Sequence, residues 1–266
     1  MRTLIRDASI FAADGFIKRG DLLIEGRTLR KIARRIAAPA RDTKIISAKG
    51  LFAVPGLIDI HINGGFGRTF SEASPGEIHE VAGRLLAHGV TSFVTSFVSL
   101  PREVTLAGIR RVREAMRMKE AARILGVHLE GPFLSPERNG AHRLENIRPP
   151  SMEEFREYLA SKAVVMMTIA PERPGALEII KEGARKGVVM AAGHSNAKAG
   201  EIGEAFLKGG LRLVTHVFNA MAPLHHREES ILNAALVIDG LACELIYDRH
   251  HVSLAARRDC RTEQVL

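Results

Sequence analysis

Residues 91–98 read Thr-Ser-Phe-Val-Thr-Ser-Phe-Val, and residues 124–130 read Ile-Leu-Gly-Val-His-Leu-Glu. Between them, residues 105–122 carry apolar side chains at helical spacing. Short runs rich in β-branched and aromatic residues suit a buried strand. A helix between two such runs carries the chain back across the sheet, so the strands lie parallel.

The same alternation extends in both directions. Further apolar strand candidates are residues 56–62, 164–169, 188–192, 211–214 and 242–246. Helical spacing recurs in residues 78–87, 177–186 and 199–208, and Gly89, Gly126, Gly187, Gly209 and Gly210 are expected to separate helices from the strands that follow. Ser195 or Asn196 is expected to cap the helix after His194. No G-x-G-x-x-G follows the first strand, which removes the main cue for an open dinucleotide-binding sheet. Seven strand–helix units therefore predict a (β/α)8-type TIM barrel.

In such a barrel, chemistry gathers at the C-terminal ends of the strands. His61, Asn63, Glu130, His194, His216 and His251 all fall at or just beyond such ends. Upstream, residues 1–50 read as short alternating strands punctuated by Asp14-Gly15 and Glu25-Gly26, both turn signals. The expected organisation is the N-terminal part of a small β domain over 1–50 and a hydrolase barrel over 51–266.

The bulk composition narrows the function classes. Hydrophobic residues make up 46% and charged residues 26% of the 266, ordinary for a globular protein. No uncharged apolar run is long enough to span a bilayer, and Met1-Arg-Thr-Leu-Ile-Arg-Asp lacks the apolar core of a signal peptide. Cys243 and Cys260 give no disulfide framework, so a cytoplasmic location is expected. The net charge is +8, but the basic residues are scattered and aromatics are only 5%. That pattern reads as a solvated surface rather than a nucleic-acid interface.

Glu130, His194 and His216 supply one carboxylate and two imidazoles, a hydrolytic donor set that leaves a coordination position for water. A metal there lowers the pKa of water from about 16 to about 7 and polarises carbonyls. His61 is a candidate further ligand. Asn63 follows it in a His-x-Asn pattern that would place both side chains on one strand face, and Asn is a poor zinc ligand. The long loop from Glu130 through Gly131-Pro-Phe to His142 suits a substrate pocket, with His142 as a group that could polarise a carbonyl. Arg227, after His225-His226, suits a phosphate or carboxylate.

Taken together, these segments resemble the N-acetylglucosamine-6-phosphate deacetylases of the amidohydrolase superfamily. The resemblance is carried by Val54-Pro-Gly-Leu-Ile-Asp-Ile-His-Ile-Asn-Gly-Gly65, Gly126-Val-His-Leu-Glu-Gly-Pro-Phe133 and Asn139-Gly-Ala-His142. Ala192-Gly-His-Ser-Asn-Ala197 and Val214-Thr-His-Val-Phe-Asn-Ala-Met221 complete it, in the family's order. It implies one divalent metal per subunit, zinc or iron, held by Glu130, His194 and His216. It also implies a sugar-phosphate site lined by Ala141, His142, Asn219, Ala220, Arg227 and His251. The implied reaction is hydrolysis of the acetamide of N-acetylglucosamine 6-phosphate to glucosamine 6-phosphate and acetate. The implied assembly is a homodimer whose barrel carries a small β-sandwich built from both chain ends.

Three departures accompany the likeness. The family's general base is an aspartate in a Thr-Asp-Ala-like motif on the eighth strand, and no position here matches it. Glu263-Gln-Val-Leu266 resembles the opening of that strand, so the expected barrel lacks its last strand and helix, and the β-sandwich is partial. Arg249 stands where the family commonly has glycine, and the stretch after Ser253 fits poorly. Two alternatives stay open: an impaired fragment that binds metal or sugar phosphate, and an amidohydrolase acting on a cyclic amide. Against the latter, Asn63 breaks the His-x-His pair and residues 164–170 contain no lysine.

Overall fold

The structure is a computed structural model that describes residues 1–12, 15–37 and 42–259. The chain divides into two compact units, Met1–Leu57 and a larger one beginning at Ile58. The first is a five-stranded mixed sheet. It comprises β1 (Arg2–Ala12), β2 (Gly15–Glu25), β3 (Thr28–Ala33), β4 (Thr43–Ser47) and β5 (Phe52–Ala53), in the order β3-β2-β1-β4 with β5 also on β1. The β2–β3 hairpin turns through Gly26-Arg27, directly after the expected Glu25, and Gly26 has φ of 60° as a tight turn requires. Asp14, of the other expected turn, lies outside the described residues. Among the residues of this sheet whose burial is described, Leu4, Ala8, Ile10 and Leu22 are buried and apolar.

Strand β6 (Leu57–Ile62) leads into the larger unit and is followed by a small hairpin of β7 (Gly64–Gly65) and β8 (Arg68–Thr69). Strands β9 (Val90–Phe97), β10 (Arg123–Glu130), β11 (Val164–Ile169), β12 (Val189–Ala192), β13 (Leu213–Val214) and β14 (Ala242–Cys243) follow. With β6 they form a seven-stranded sheet in the order β14-β13-β12-β11-β10-β9-β6, curled as an incomplete TIM barrel. Pairing from β9 to β14 is parallel throughout. The expected opening of an eighth strand at residues 263–266 lies outside the described residues. No described helix is long and apolar enough to cross a membrane.

The helices are α1 (Pro75–Leu85), α2 (Arg102–Ala115), α3 (Met152–Ala160), α4 (Ala176–Arg185), α5 (Ala199–Glu204), α6 (Ile231–Val237) and α7 (Leu254–Asp259). Ser74 and Glu77 cap α1 reciprocally. Ile78, Val81, Ala82 and Leu85 form its buried stripe. They pack with Phe70, Phe93, Phe97, Ile109 and Val127 in one continuous core.

Several boundaries differ from the periodicity. The helix expected over 105–122 runs from Arg102 to Ala115. Its last turn tightens, with Arg117 N–H on Glu114 O and Met118 N–H on Ala115 O; Glu120 then takes φ of 69° and Ala122 N–H donates to Ala82 O on α1, just before β10. Gly126, expected to part a helix from a strand, lies inside β10. Neither Ser195 nor Asn196 caps a helix. Both are held by Glu172, through Ser195 Oγ–H at 2.6 Å and Asn196 N–H at 2.7 Å, and α5 begins only after Lys198. That helix continues past Glu204 as a π-helical turn. Helices α3 and α6 carry weak sequence signals; α3 is announced only by Ser151, whose hydroxyl accepts Glu154 N–H.

Inside the curl, residues two apart on each strand stack in layers. Met166, Ala191 and Leu213, with Ala242, form an apolar layer. Two residues further along come polar groups. Ser96 Oγ lies 3.1 Å from His128 Nδ1, His128 Nε2 lies 2.8 Å from Thr168 Oγ1, and Thr168 Oγ1 lies 2.7 Å from Thr215 Oγ1. The next layer is the rim. Glu130, at the end of β10, lies there, two residues beyond His128, and Glu244, just past β14 and two residues beyond Ala242, lies level with Thr215 beneath it.

Candidate metal centre

At that rim, Glu130, His194 and His216 converge, all buried. Glu130 Oε1 lies 3.1 Å from His194 Nε2 and 2.9 Å from His216 Nε2, and the two nitrogens are 3.0 Å apart. His194 (φ 49°) and His216 (φ 30°) both take left-handed backbone conformations. Such conformations cost roughly 1–3 kcal/mol each and persist only where neighbours enforce them. The neighbours here include Glu172 on Ser195 and Asn196, and Ser135 N–H donating to His194 O at 2.9 Å.

Tautomers follow from the partners. His194 Nδ1 lies 2.9 Å from the Arg138 carbonyl, so Nδ1 carries the proton and Nε2 offers its lone pair. His142 is the opposite case. Its Nδ1 accepts the Ser99 backbone N–H at 2.9 Å, which leaves the proton on Nε2, 3.5 Å from Glu130 Oε2. A neutral His142 is therefore a hydrogen-bond donor into the site and not a metal ligand through that nitrogen.

The donor set fits a divalent cation. Ligand bonds of about 2.0–2.1 Å in a tetrahedron place ligand atoms about 3.3 Å apart, close to the observed triangle. Two imidazole nitrogens at 3.0 Å around one carboxylate oxygen need a proton or a cation between them. Burial alone would raise the Glu130 pKa, but the imidazoles of His142, His194, His216 and His61 outweigh it and hold the carboxyl well below its usual range. Glu130 is thus an anion ready to coordinate.

His61 stands beside this set. Its Nε2 is 3.6 Å from Glu130 Oε2 and its Nδ1 is 2.9 Å from Glu244 Oε2. Asn63 does not share that face as a strand neighbour. It lies beyond the end of β6 and is exposed, because its carbonyl accepts Phe70 N–H where the chain turns into the β7–β8 hairpin.

The remaining expected contacts divide. His142 is buried at the centre, whereas Ala141 beside it is exposed. Asn219 and Ala220 are half-buried next to His216, and Asn219 Nδ2–H donates to His216 O at 3.3 Å. Arg227 and His251 are exposed and their hydrogen bonds are local: Arg227 Nε–H to His226 Nε2 at 2.9 Å, and His251 Nδ1–H to Asp248 Oδ2 at 2.6 Å. Sequence patterns did not single out Ser99, His128, Glu172 or Glu244. The available signal for Glu244 was a lone acid inside an expected apolar strand.

The buried imidazoles predict the pH profile of metal-free protein. Burial opposes charge on His61, but Glu130 and Glu244 outweigh it and raise the pKa to about 10. Its folded-state proton thus contributes stability that is fully present below the unfolded value of about 6.5 and is lost as pH rises toward 10. His128 goes the other way: burial, then the neighbouring His61, push it well below the usual value. The unfolded chain takes up that proton near 6.5, so stability falls as pH drops below about 6.5. With chelator present, the melting temperature should peak near pH 6.5. His61→Gln should flatten the alkaline side, and an unchanged alkaline limb in that variant would refute the assignment.

Residues 52–254 match the model of the amidohydrolase family. The N-acetylglucosamine-6-phosphate deacetylase of Bacillus subtilis (strain 168) is 32% identical over 254 residues, covering 93% of this chain and 64% of the relative. The crystal structure of the deacetylase from Pasteurella multocida superposes with a TM-score of 0.92 at 28% identity, covering all of this chain and 70% of that one. A D267A mutant of the Mycobacterium smegmatis deacetylase, solved in complex with N-acetyl-D-glucosamine-6-phosphate, gives a TM-score of 0.88 at 31% identity, covering 99% and 69%. The chain thus spans 64% of the length of the Bacillus relative.

Proposed function

The chain belongs to the amidohydrolase family and, within it, to the N-acetylglucosamine-6-phosphate deacetylases, and on that footing we propose that it holds one divalent cation, zinc or iron, at Glu130, His194 and His216 and hydrolyses the acetamide of an N-acetylated amino-sugar phosphate. The observation that carries this reading is the convergence of Glu130 Oε1, His194 Nε2 and His216 Nε2 within 3.1 Å of one another, with His142 Nε2–H beside them.

When bound, the cation supplies Lewis acidity and an acidified water. The chain's own residues do the rest. His142 donates Nε2–H to the acetamide oxygen and stabilises the negative charge that builds there. Ser99 keeps it in that tautomer through its backbone N–H. Water adds to the carbonyl carbon, the C–N bond breaks, the amine leaves with a proton and acetate remains. Arg227 and His251 are proposed to meet the phosphate, and Ala141, Asn219 and Ala220 to line the sugar. A homodimer is part of the same proposal, which sedimentation would test.

Calorimetric titration of the zinc-loaded protein with N-acetylglucosamine 6-phosphate, beside an assay for released acetate, tests this reading. Binding with release of acetate supports it; no binding, or binding without release, would overturn it.

A further inference from the structure

Strands β6 and β14 stand at opposite ends of the seven-stranded order. Yet His61 on β6 and Glu244 just past β14, 183 positions apart, meet at 2.9 Å. The curl brings the two edges together. Glu244 is held firmly there. Its Oε2 also accepts His216 N–H at 3.3 Å, while its backbone N–H and carbonyl bond Val214 O and Val217 N–H, both at 2.8–2.9 Å. The residue is 6% exposed, and Oε1 is buried with no hydrogen-bond partner among the described residues.

A buried carboxylate with an unpaired oxygen is costly. If Glu244 served only to join two strand ends, an apolar side chain would do so at lower cost. What the carboxylate adds is direction. By accepting Nδ1–H it fixes the orientation of His61, and Nε2, whose proton a cation would displace, faces Glu130 Oε2 at 3.6 Å. That separation is too long for a hydrogen bond and close to the spacing of two atoms around one cation. The edge of the His61 ring also rests on buried His128, with centroids 4.6 Å apart, so the ring is fixed on a second side.

We propose that Glu244 is a positioning residue: it orients His61 so that Nε2 points to Glu130 Oε2 beside the cation site. This rests on the metal-centre reading above. Its mode of action is through His61, which makes it testable by coupling.

The experiment measures zinc affinity by competition with a chelating dye, with thermal melting to confirm folding. Wild type is compared with Glu244→Ala, Glu244→Gln, His61→Ala, the Glu244→Ala/His61→Ala double variant, and Glu130→Gln. Glu244→Ala should weaken binding about 10–100-fold, as for other groups that orient a ligand. Glu244→Gln should stay near wild type, because its amide oxygen still accepts Nδ1–H. The double variant should be no weaker than His61→Ala alone. If Glu244→Ala does not fold, Glu244→Met, of similar length but without the acceptor, takes its place. Wild-type affinity in a folded Glu244→Ala or Glu244→Met, or losses that multiply in the double variant, would overturn the proposal. Should Glu130→Gln also bind zinc like wild type, it is the metal-centre reading that fails. Should only Glu130→Gln lose zinc, the positioning role alone fails.

Discussion

Glu130→Gln should reduce zinc affinity by more than about 100-fold, beyond the range usual for removing an outer partner. Gln keeps the volume of the side chain but not its charge, and amide oxygens are weak zinc donors. The effect is large because Glu130 contacts every other group of the site: Oε1 faces His194 and His216, and Oε2 faces His61 and His142. Without the anion, four imidazoles would share one buried space with no counter-charge for a dication. Metal analysis of dialysed wild type and variant reads the result, and equal content would remove Glu130 from the ligand set.

Phe93→Ala should lower stability by about 3–5 kcal/mol through lost burial and a residual cavity. Phe93 is fully buried on β9 and stacks on Phe70, with ring centroids 5.4 Å apart. For a unit of this size that loss corresponds to roughly 6–20 °C in melting temperature. Leu207→Ala, at a side chain 81% exposed, should change stability by less than about 0.5 kcal/mol. A small effect at Phe93, comparable to that at Leu207, would contradict the packing described for the α1, α2 and β9 core.

The seven strands and the positions of Glu130, His194 and His216 were legible in the sequence because both depend on local grammar. Apolar runs mark buried parallel strands, and a polar residue where such a run stops marks the rim. Less legible was whatever depends on closure of the sheet. Glu244 lies within the expected strand 242–246, and nothing local tells that the chain leaves the sheet after Cys243 and turns the carboxylate toward His61. His128 reads as one polar residue in an apolar run; its partners Ser96 and Thr168 sit on neighbouring strands, 32 and 40 positions away. The His61–Asn63 face was misjudged for a related reason, since period-two alternation holds only while the strand lasts and β6 ends at Ile62. The end of α2 moved from 122 to Ala115, where the chain tightens into i→i+3 bonds at Arg117 and Met118, which apolar spacing does not reveal.

The central claim is that one divalent cation sits among Glu130, His194 and His216. A crystal structure of zinc-loaded protein, with anomalous differences collected on both sides of the zinc edge, tests it most directly. The expected result is a single strong peak bonded to Glu130 Oε1, His194 Nε2 and His216 Nε2, with His142 oriented by Ser99 and making no bond to the ion. A peak held by other residues, or none at these three atoms in zinc-saturated crystals, would contradict the claim.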